Sequence, residues 1–206
     1  MKLILIRHGE TDLNKNGAFQ GTSDMVLSDK GREQVQRLGE RMKQIKIDRI
    51  ISSPKKRAVE TAAAIAQHHN LGIEIDDRLQ EVDFGHWEGK VLWEMCRDGD
   101  EDAILYQNER NFYPIPGEGS LNRARWRIGG FIDELKLSYW ETDKTIVLVG
   151  HAAIFRMAMF HLLDMGNNFY RKFAPSNAGI TVFQISKKSG ARVVTFNDIS
   201  HLSDDW

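Results

Sequence analysis

The sequence lacks several features that would place it in a specialised class. Its 206 residues include one cysteine, Cys96, so an internal disulfide is excluded and a reducing compartment is favoured. No apolar run approaches the roughly 20 residues of a membrane span. The four apolar residues that follow Lys2 are too few for a signal-peptide core. We therefore expect a cytoplasmic protein with no membrane segment.

The sequence also lacks a surplus of either charge. Lys and Arg number 28 and Asp and Glu 29, which gives a formal net charge of -1 at pH 7. Proteins that bind nucleic acids broadly usually present a basic surface, so we expect no nucleic-acid partner. The length and the 41% hydrophobic content fit one domain over residues 1–206.

What the sequence does contain is an alternation of predicted strands and helices. Apolar residues at helical spacing and short apolar runs distinguish the two. Strands are predicted at residues 2–7, 48–52, 73–75, 144–149, 180–185 and 192–196, and helices at 29–44, 58–67, 121–140 and 152–163. This order predicts a three-layer α/β/α fold with a mostly parallel sheet. Residues 90–119 are predicted to form a small helical, cap-like insertion over the active site.

Three of the predicted strands end in residues that carry chemistry. The first ends in Arg7-His8, the second in Ser52-Ser53-Pro54 with Arg57 one turn later, and the third in Gly150-His151. The carboxyl ends of parallel strands share one rim of a sheet, where ligands bind. A charged pair at the end of a buried strand is costly unless it faces a cleft. We therefore expect these residues to converge on one site.

The expected site has the composition of an anion pocket. Arginine presents a planar fork that matches phosphate oxygens, and helix N-termini add free N–H groups. The loop that follows His8 offers Asn14, Gln20 and Gly21 as further donors. A phosphoryl group is the natural occupant. The competing interpretation, that Arg7 and Arg57 only pair with carboxylates such as Glu10 or Glu60, would be preferred without the histidines.

A neutral imidazole at His8 is also a nucleophile, provided that a backbone carbonyl holds the proton on its other ring nitrogen. An acid must then protonate the leaving oxygen. The predicted loop 78–89 supplies Glu81 as the first candidate, with Asp83 or Glu88 as alternatives. A metal site is disfavoured, because the only cysteine is isolated and no histidine pair has the spacing of helical ligands.

Two other groups of residues have simpler interpretations. Arg123 and Arg127 share one face of a helix, and a solvated face is favoured over a second anion site. Five aromatic residues could stack on a ringed substrate, but packing under the insertion is favoured. They are Trp93, Tyr106, Phe112, Tyr113 and Trp126.

Four motifs in this order resemble the histidine phosphatase superfamily, in its phosphoglycerate-mutase-like branch. The motifs are Arg7-His8-Gly9-Glu10-Thr11 with Asn14, Ser52-Ser53-Pro54 with Arg57-Ala58 and Thr61-Ala62, Leu79-Gln80-Glu81 with Phe84-Gly85 and Trp87-Glu88-Gly89, and Gly150-His151. They span nearly the whole chain.

The resemblance implies that His8 becomes phosphorylated during the reaction and that Glu81 is the proton donor. It places Arg7, Arg57 and His151 on the phosphoryl group, with Asn14 assisting, and it implies no cofactor or metal. Relatives usually have Ser-His-Gly at the fourth motif, where this chain has Gly150-His151-Ala152. We expect the backbone N–H of Ala152 to keep the phosphate contact.

The resemblance leaves three activities to compare. The first is a phosphomonoesterase for a small phosphorylated metabolite, acting as a monomer or homodimer. The segment Pro116-Gly117-Glu118-Gly119-Ser120 and the chain length are similar to α-ribazole-5′-phosphate phosphatases of cobalamin synthesis. The second is a phosphoglycerate mutase, although mutases of the family usually carry a longer insertion that shields the phosphoenzyme from water. The third is a phosphate-binding interaction module without catalysis.

Overall fold

A computed structural model describes residues 1–109 and 114–202 of the chain. Its strands are β1 Lys2–Arg7, β2 Arg49–Ser52, β3 Ile73–Ile75, β4 Thr145–Gly150, β5 Ile180–Ser186 and β6 Gly190–Asp198. Its α-helices are α1 Asp12–Lys15, α2 Asp29–Met42, α3 Lys56–Ala66, α4 Leu92–Arg97, α5 Glu101–Glu109, α6 Leu121–Tyr139 and α7 Ala152–Leu162. Short 3-10 turns cover Asp77–Leu79, Gly85–Trp87, Asn167–Lys172 and Ser200–Leu202.

The six strands form one mixed sheet in the order β3-β2-β4-β1-β5-β6. The four strands from β3 to β1 pair in parallel, and β5 and β6 add an antiparallel edge. The predicted α/β fold with a mostly parallel sheet is confirmed. The parallel pairing also brings the carboxyl ends of β1, β2 and β4 to one rim.

Strand β1 shows why the sheet needs helices on both faces. Successive side chains of a strand point to opposite faces. Leu3 and Leu5 join the core under α6 and α7, whereas Ile4 and Ile6 join the core under α2 and α3. All four are buried. A continuous apolar run is therefore the pattern of a strand covered on both sides, and the chain has three layers.

Two predicted helix starts are confirmed by capping bonds. The Ser28 hydroxyl accepts the Gly31 N–H at the start of α2, and the Ser120 hydroxyl accepts the Arg123 N–H at the start of α6. Helix α3 begins at Lys56, so Pro54 lies just outside the helix instead of in its first turn. The other element ends differ from prediction by a few residues, as frayed ends do.

The predicted loop 8–24 contains one short helix that the sequence pattern did not indicate. Thr11 caps α1 reciprocally with Asn14: the Thr11 Oγ1 accepts the Asn14 N–H, and the Asn14 Oδ1 accepts the Thr11 N–H. The two side chains therefore fix the chain immediately after His8.

Residues 90–119, which are predicted to form an insertion, contain helices α4 and α5. Tyr106 is buried and packs at 5.0 Å, ring centre to ring centre, from Trp87. Trp93 and Trp126 instead expose 59% and 78% of their surface, so the packing role is wrong for them. Phe112 and Tyr113 lie outside the described residues. Within the described ranges, no helix is both long and apolar enough to cross a bilayer.

Candidate active site

The predicted convergence at the rim occurs. Arg7 lies beside Gly150 across the β1–β4 pair, and Ser52 lies beside Val149 across the β2–β4 pair. The next residues along the chain, His8, Ser53 and His151, therefore leave the sheet side by side. The rings of His8 and His151 lie 5.1 Å apart, centre to centre, at an interplanar angle of 61°.

His8 is held in one tautomer. Its Nδ1 lies 2.7 Å from the Gly9 carbonyl oxygen, which can only accept, so Nδ1 carries the proton and Nε2 keeps its lone pair. Gly9 is itself fixed, because its N–H donates to the Thr61 Oγ1 at 3.1 Å. The arrangement is the one a nucleophilic imidazole requires.

Both histidines are kept uncharged by their surroundings. Burial, with Arg7 and Arg57 adding their positive charges, lowers the pKa of His8 well below its usual value. Burial also lowers the pKa of His151, and the neighbouring Arg57, His8, Arg7 and Lys55 act in the same direction. His8 is therefore a free base at neutral pH, as a nucleophile must be.

Two arginines supply the positive charge: Arg57 is buried and Arg7 is partly buried. The Arg57 Nη1 and Nη2 donate to the Ser23 and Gly21 carbonyls at 2.6 and 2.8 Å. The Arg7 Nη1 donates to the Pro175 carbonyl at 2.8 Å. Burial lowers the pKa of each to about 10, with Glu81 opposing the shift, so both remain cationic at neutral pH.

Several buried nitrogen atoms around His8 have no hydrogen-bond partner within the described ranges. They are the Nε of Arg7, the Nε of Arg57, the Nδ1 of His151 and the Nε2 of Gln20. A buried donor left without an acceptor costs about 1–3 kcal/mol. A tetrahedral oxyanion beside His8 would supply the missing acceptors, since each oxygen accepts more than one hydrogen bond.

Ser53 is at the rim as predicted, and the structure gives it a contact that the sequence does not specify. Its Oγ lies 2.8 Å from the His151 Nε2, and both residues are buried. The sequence offered a signal, because Ser53 follows the end of β2 at the same rim. A residue that directly follows β2 lies next to the end of its parallel neighbour β4.

The three loop residues predicted as donors to a phosphate make different contacts. Asn14 and Gln20 line the cleft beside His8, and the Asn14 Nδ2 donates to the Gln20 Oε1 at 3.3 Å. Gly21 is predicted to donate its N–H to a phosphate. In the structure, its carbonyl oxygen accepts a hydrogen bond from the Arg57 Nη2. A side chain at Gly21 would lie 2.3 Å from the Val82 carbonyl oxygen, so only glycine fits there.

Glu81 is placed by the start of helix α7. One carboxylate oxygen accepts the N–H groups of Val82 and Ile154, both at 2.9 Å, and the other accepts the Ala153 N–H at 3.0 Å. Glu81 is 7% exposed and lines the cleft together with His8. The helix N-terminus therefore holds this carboxylate at the cleft that His8 also lines.

The two alternative acids are used differently. Glu88 accepts the N–H groups of Thr22 and Ser23, and these bonds lower its pKa although burial opposes the shift. Asp83 accepts the Gly85 N–H. Of the three carboxylates, Glu81 is the one that lines the cleft.

The replacement of serine by Gly150 in the fourth motif has a local cause. A Cβ at this position would lie 2.9 Å from the Phe155 Cζ and 3.1 Å from its Cε1. The Phe155 ring therefore occupies the space of a side chain at residue 150. Ala152, the first residue of α7, still lines the cleft.

Two further residues reach the site from parts of the chain that the motifs do not cover. The Asn177 Nδ2 donates to the His8 carbonyl and to the Asn14 Oδ1, both at 3.0 Å. Arg156, one turn into α7, lines the cleft, and its Nε donates to the Phe173 carbonyl. Asn177 precedes the antiparallel strand β5, whose start lies at the rim where β1 ends. The antiparallel pairing of β5 with β1 therefore brings Asn177 to the site.

The cleft encloses about 210 Å³. Aromatic side chains and Arg156 contribute to its lining. The aromatic lining consists of Phe19, Phe84, Tyr106 and Tyr170. Within the described residues, no three His, Cys, Asp or Glu side chains are grouped so that they would hold a metal ion.

Known proteins with similar sequences and structures were compared with this chain. Phosphoserine phosphatase 1 of Hydrogenobacter thermophilus is 31% identical over 204 residues, which cover 99% of this chain and 95% of that protein. Phosphoserine phosphatase of Entamoeba histolytica, solved in complex with 3-phosphoglyceric acid, superposes with a TM-score of 0.86 at 32% identity and covers 98% of both chains. A putative α-ribazole-5′-phosphate phosphatase of Escherichia coli superposes with a TM-score of 0.86 at 25% identity over 97% of both chains.

The family model of the histidine phosphatase superfamily, branch 1, matches residues 3–199. That range contains all four motifs and every residue of the site described above. The chain therefore belongs to branch 1 of the histidine phosphatase superfamily.

Proposed function

We propose that this protein is a metal-independent phosphomonoesterase that hydrolyses a small phosphorylated metabolite through a phosphohistidine at His8. The observation that carries the proposal is the tautomer of His8. The Gly9 carbonyl holds the proton on Nδ1, and Nε2 keeps its lone pair in a site where the charges of Arg7 and Arg57 act on the ring. A residue that only bound phosphate would instead present N–H donors to it.

In the first step, the His8 Nε2 attacks phosphorus while the bond from phosphorus to the ester oxygen breaks. Arg7 and Arg57 stabilise the charge on the transferring group, and His151 contributes a ring nitrogen. Glu81 donates a proton to the leaving oxygen, which departs as an alcohol. The products of this step are phospho-His8 and ionised Glu81.

In the second step, water attacks phospho-His8. Glu81 removes a proton from the water, the bond from phosphorus to Nε2 breaks, and inorganic phosphate leaves. The imidazole and the protonated carboxyl are restored, so both act as catalysts. The fixed positive charges of Arg7 and Arg57 take the electrostatic part that a metal ion plays in other phosphatases.

We further propose that the preferred substrate carries a second anionic group, such as a carboxylate. Arg156 supports this, because it lines the cleft and, within the described ranges, its hydrogen bond is made by the Nε, to the Phe173 carbonyl, and not by the Nη atoms. Its guanidinium lies 4.6 Å over the Tyr170 ring, which fixes its plane. The named ligands of two similar proteins, phosphoserine and 3-phosphoglycerate, have a carboxylate beside the ester.

α-Ribazole-5′-phosphate is a second candidate substrate for the same reaction. The aromatic side chains of Phe19, Phe84 and Tyr106 on the cleft wall favour it, since they offer surfaces for a ringed substrate. This substrate has no carboxylate for Arg156 to bind, so the two candidates differ in their dependence on that residue.

Substitution of Arg156 separates the two candidates. With Arg156→Met, the KM for a carboxylate-bearing monoester should rise about tenfold or more, and the KM for α-ribazole-5′-phosphate should change little. Arg123→Met is the matched control, because Arg123 is exposed on another helix. If the KM of the carboxylate substrate is unchanged in Arg156→Met, a second anionic group is not recognised there.

Mutase activity and simple phosphate binding are the two other functions. The insertion contributes helices of only six and nine residues, which favours access of water and therefore hydrolysis. A mutase would isomerise phosphoglycerate when a bisphosphorylated primer is added, and release of free phosphate alone would reject it. Trapping phosphohistidine during turnover would reject the binding module.

Phosphate release from a panel of monoesters tests the proposed function. The panel contains phosphoserine, 3-phosphoglycerate, sugar phosphates, α-ribazole-5′-phosphate and p-nitrophenyl phosphate, each with and without EDTA. Activity should persist in EDTA and be lost in His8→Ala. Loss of activity in EDTA would contradict the metal-free mechanism.

The proposed function also includes a location in the cell and an assembly state. We propose a cytoplasmic enzyme, monomeric or homodimeric, that acts on free small molecules and not on nucleic acid. The single cysteine supports the cytoplasmic location, and the balanced charge supports a substrate other than nucleic acid. Light scattering of the purified protein measures the assembly, and the absence of a mobility shift with RNA or DNA is the expected result for nucleic acid.

A further inference from the structure

Arg127 lies in the middle of α6 and contacts the loop that carries Glu81. Its Nη1 donates to two carbonyl oxygens, that of Arg78 at 2.9 Å and that of Gln80 at 2.7 Å. Its Nη2 lies 3.5 Å from the Glu81 carbonyl oxygen. A single guanidinium thus gathers three carbonyls around the proposed acid. The sequence-based interpretation of this helix face as solvated is wrong for Arg127, which is half-buried.

Glu118 extends this contact to the other side of Glu81. The Arg127 Nη2 and Nε lie 3.0 and 3.3 Å from the two Glu118 carboxylate oxygens. Glu118 in turn binds Asp83 twice: its carboxylate accepts the Asp83 N–H, and its own N–H donates to the Asp83 carbonyl at 2.7 Å. The pair therefore fastens the loop before Glu81 and after it.

The backbone and the carboxylate of Glu81 are held by different elements. Arg127 of α6 and Glu118, which precedes that helix, fix the backbone, whereas the N–H groups of Ala153 and Ile154 fix the carboxylate from α7. Both attachments are needed to define where the carboxylate lies relative to His8. A displacement of about 1 Å in a reacting group can cost about a hundredfold in rate.

We propose that Arg127, paired with Glu118, is a positioning residue for Glu81 in the proposed phosphatase reaction. The inference rests on the proposed function, because it matters only if Glu81 transfers a proton. Arg127 does not line the cleft that contains His8 and Glu81. It acts through the loop backbone and touches no reacting atom.

The contact needs an arginine. A guanidinium directs five N–H groups in a rigid plane, so that it reaches three carbonyls and a carboxylate at once. The lysine ammonium has three donors on a flexible chain and would retain only part of the set. Methionine keeps much of the apolar stem but donates nothing. The two substitutions therefore form a graded series.

The test compares two leaving groups. A proton donor matters most for an alkyl monoester and least for p-nitrophenyl phosphate, whose phenolate leaves without protonation. In Arg127→Met, kcat/KM, which covers only the steps up to loss of the leaving group, should fall about tenfold or more for the alkyl substrate and less than about threefold for p-nitrophenyl phosphate. The later hydrolysis of phospho-His8, in which Glu81 acts as the base, is common to both substrates and does not enter kcat/KM. Arg127→Lys should give an intermediate loss, and it also serves if Arg127→Met folds poorly.

Arg125 provides the matched control. It lies on the same helix and also donates two hydrogen bonds to carbonyls, those of Met165 at 2.7 Å and Phe160 at 3.0 Å, away from the Glu81 loop. Arg125→Met should lower the thermal stability but leave the ratio of the two kcat/KM values unchanged. If Arg125→Met shifts this ratio as much as Arg127→Met does, the effect is general loosening and the inference is overturned.

A double variant separates this inference from the proposed function. Adding Arg127→Met to Glu81→Gln should cause little further loss on the alkyl substrate, because the positioned group is already absent. Additive losses, or equal losses on both substrates in Arg127→Met, would overturn the positioning role while leaving the phosphatase intact. A wild-type protein that releases no phosphate, or a Glu81→Gln variant with equal losses on both substrates, would overturn the proposed role of Glu81 and this inference with it.

Discussion

The two histidines of the site should make the folded protein sensitive to mild acid. Burial, reinforced by Arg7 and Arg57, lowers the pKa of His8 and His151 well below 6.5. In the unfolded chain, each imidazole takes up a proton near pH 6.5. Below that pH the unfolded state binds more protons than the folded state, so the free energy of unfolding falls as the pH falls.

The size of the effect follows from the number of protons. An imidazole with an unfolded pKa of about 6.5 that stays neutral in the folded state lowers the free energy of unfolding by roughly 1 kcal/mol between about pH 7.5 and about pH 5.5. For His8 and His151 together the loss is on the order of 2–3 kcal/mol. This is a large part of the stability of an ordinary domain.

Urea denaturation in phosphate-free buffer at the two pH values measures this loss. The control is the double variant His8→Asn with His151→Asn, which keeps His201, another residue whose pKa is lowered by burial. The wild type should lose roughly 2–3 kcal/mol more than the variant over this range. Equal losses in both proteins would show that the two histidines take up protons in the folded state, and the account of the neutral nucleophile would be refuted.

Two structural contacts give the remaining predictions. A Cβ at Gly39 would lie 2.2 Å from the Ala64 carbonyl oxygen where α2 meets α3, so Gly39→Ala should lower the free energy of unfolding by about 1–3 kcal/mol. At Gly130 on α6, an added Cβ would have no neighbour within 4 Å. Gly130→Ala should therefore raise the free energy of unfolding by up to about 1 kcal/mol. Thermal melts of both variants measure the two changes. Ser53→Ala removes the partner of the His151 Nε2 and should cost about 1–3 kcal/mol and lower kcat. A stable and fully active Ser53→Ala would contradict this account of the pair.

Much of the fold can be predicted from local patterns in the sequence. The apolar runs of β1 and β4, the capping serines at residues 28 and 120, and the alternation of elements together predict the layers and the shared rim. These features depend on neighbours in sequence, so a periodicity argument finds them. The rim argument also brings His8 and His151 together, because parallel strands place successive ends side by side.

The residues that sequence reasoning missed depend on long-range approach. Asn177 reaches His8 only because β5 runs antiparallel beside β1. The positions of Arg127 and Arg156 depend on how α6 and α7 pack against the sheet. Arg127 in particular looks like a surface residue by its spacing, and only the carbonyls of a distant loop give it another role. The helix α1 after His8 was missed because its four residues are too few for a periodic signal.

The central claim is that His8 carries the phosphoryl group during turnover. Rapid-quench mass spectrometry under alkaline conditions, which preserve phosphohistidine, tests it directly on the wild type and on His8→Ala. We predict one phosphoryl group per chain, attached to the His8 Nε2, formed before free phosphate accumulates and absent from His8→Ala. A phosphoryl group on another residue, or steady turnover with none trapped, would contradict the account.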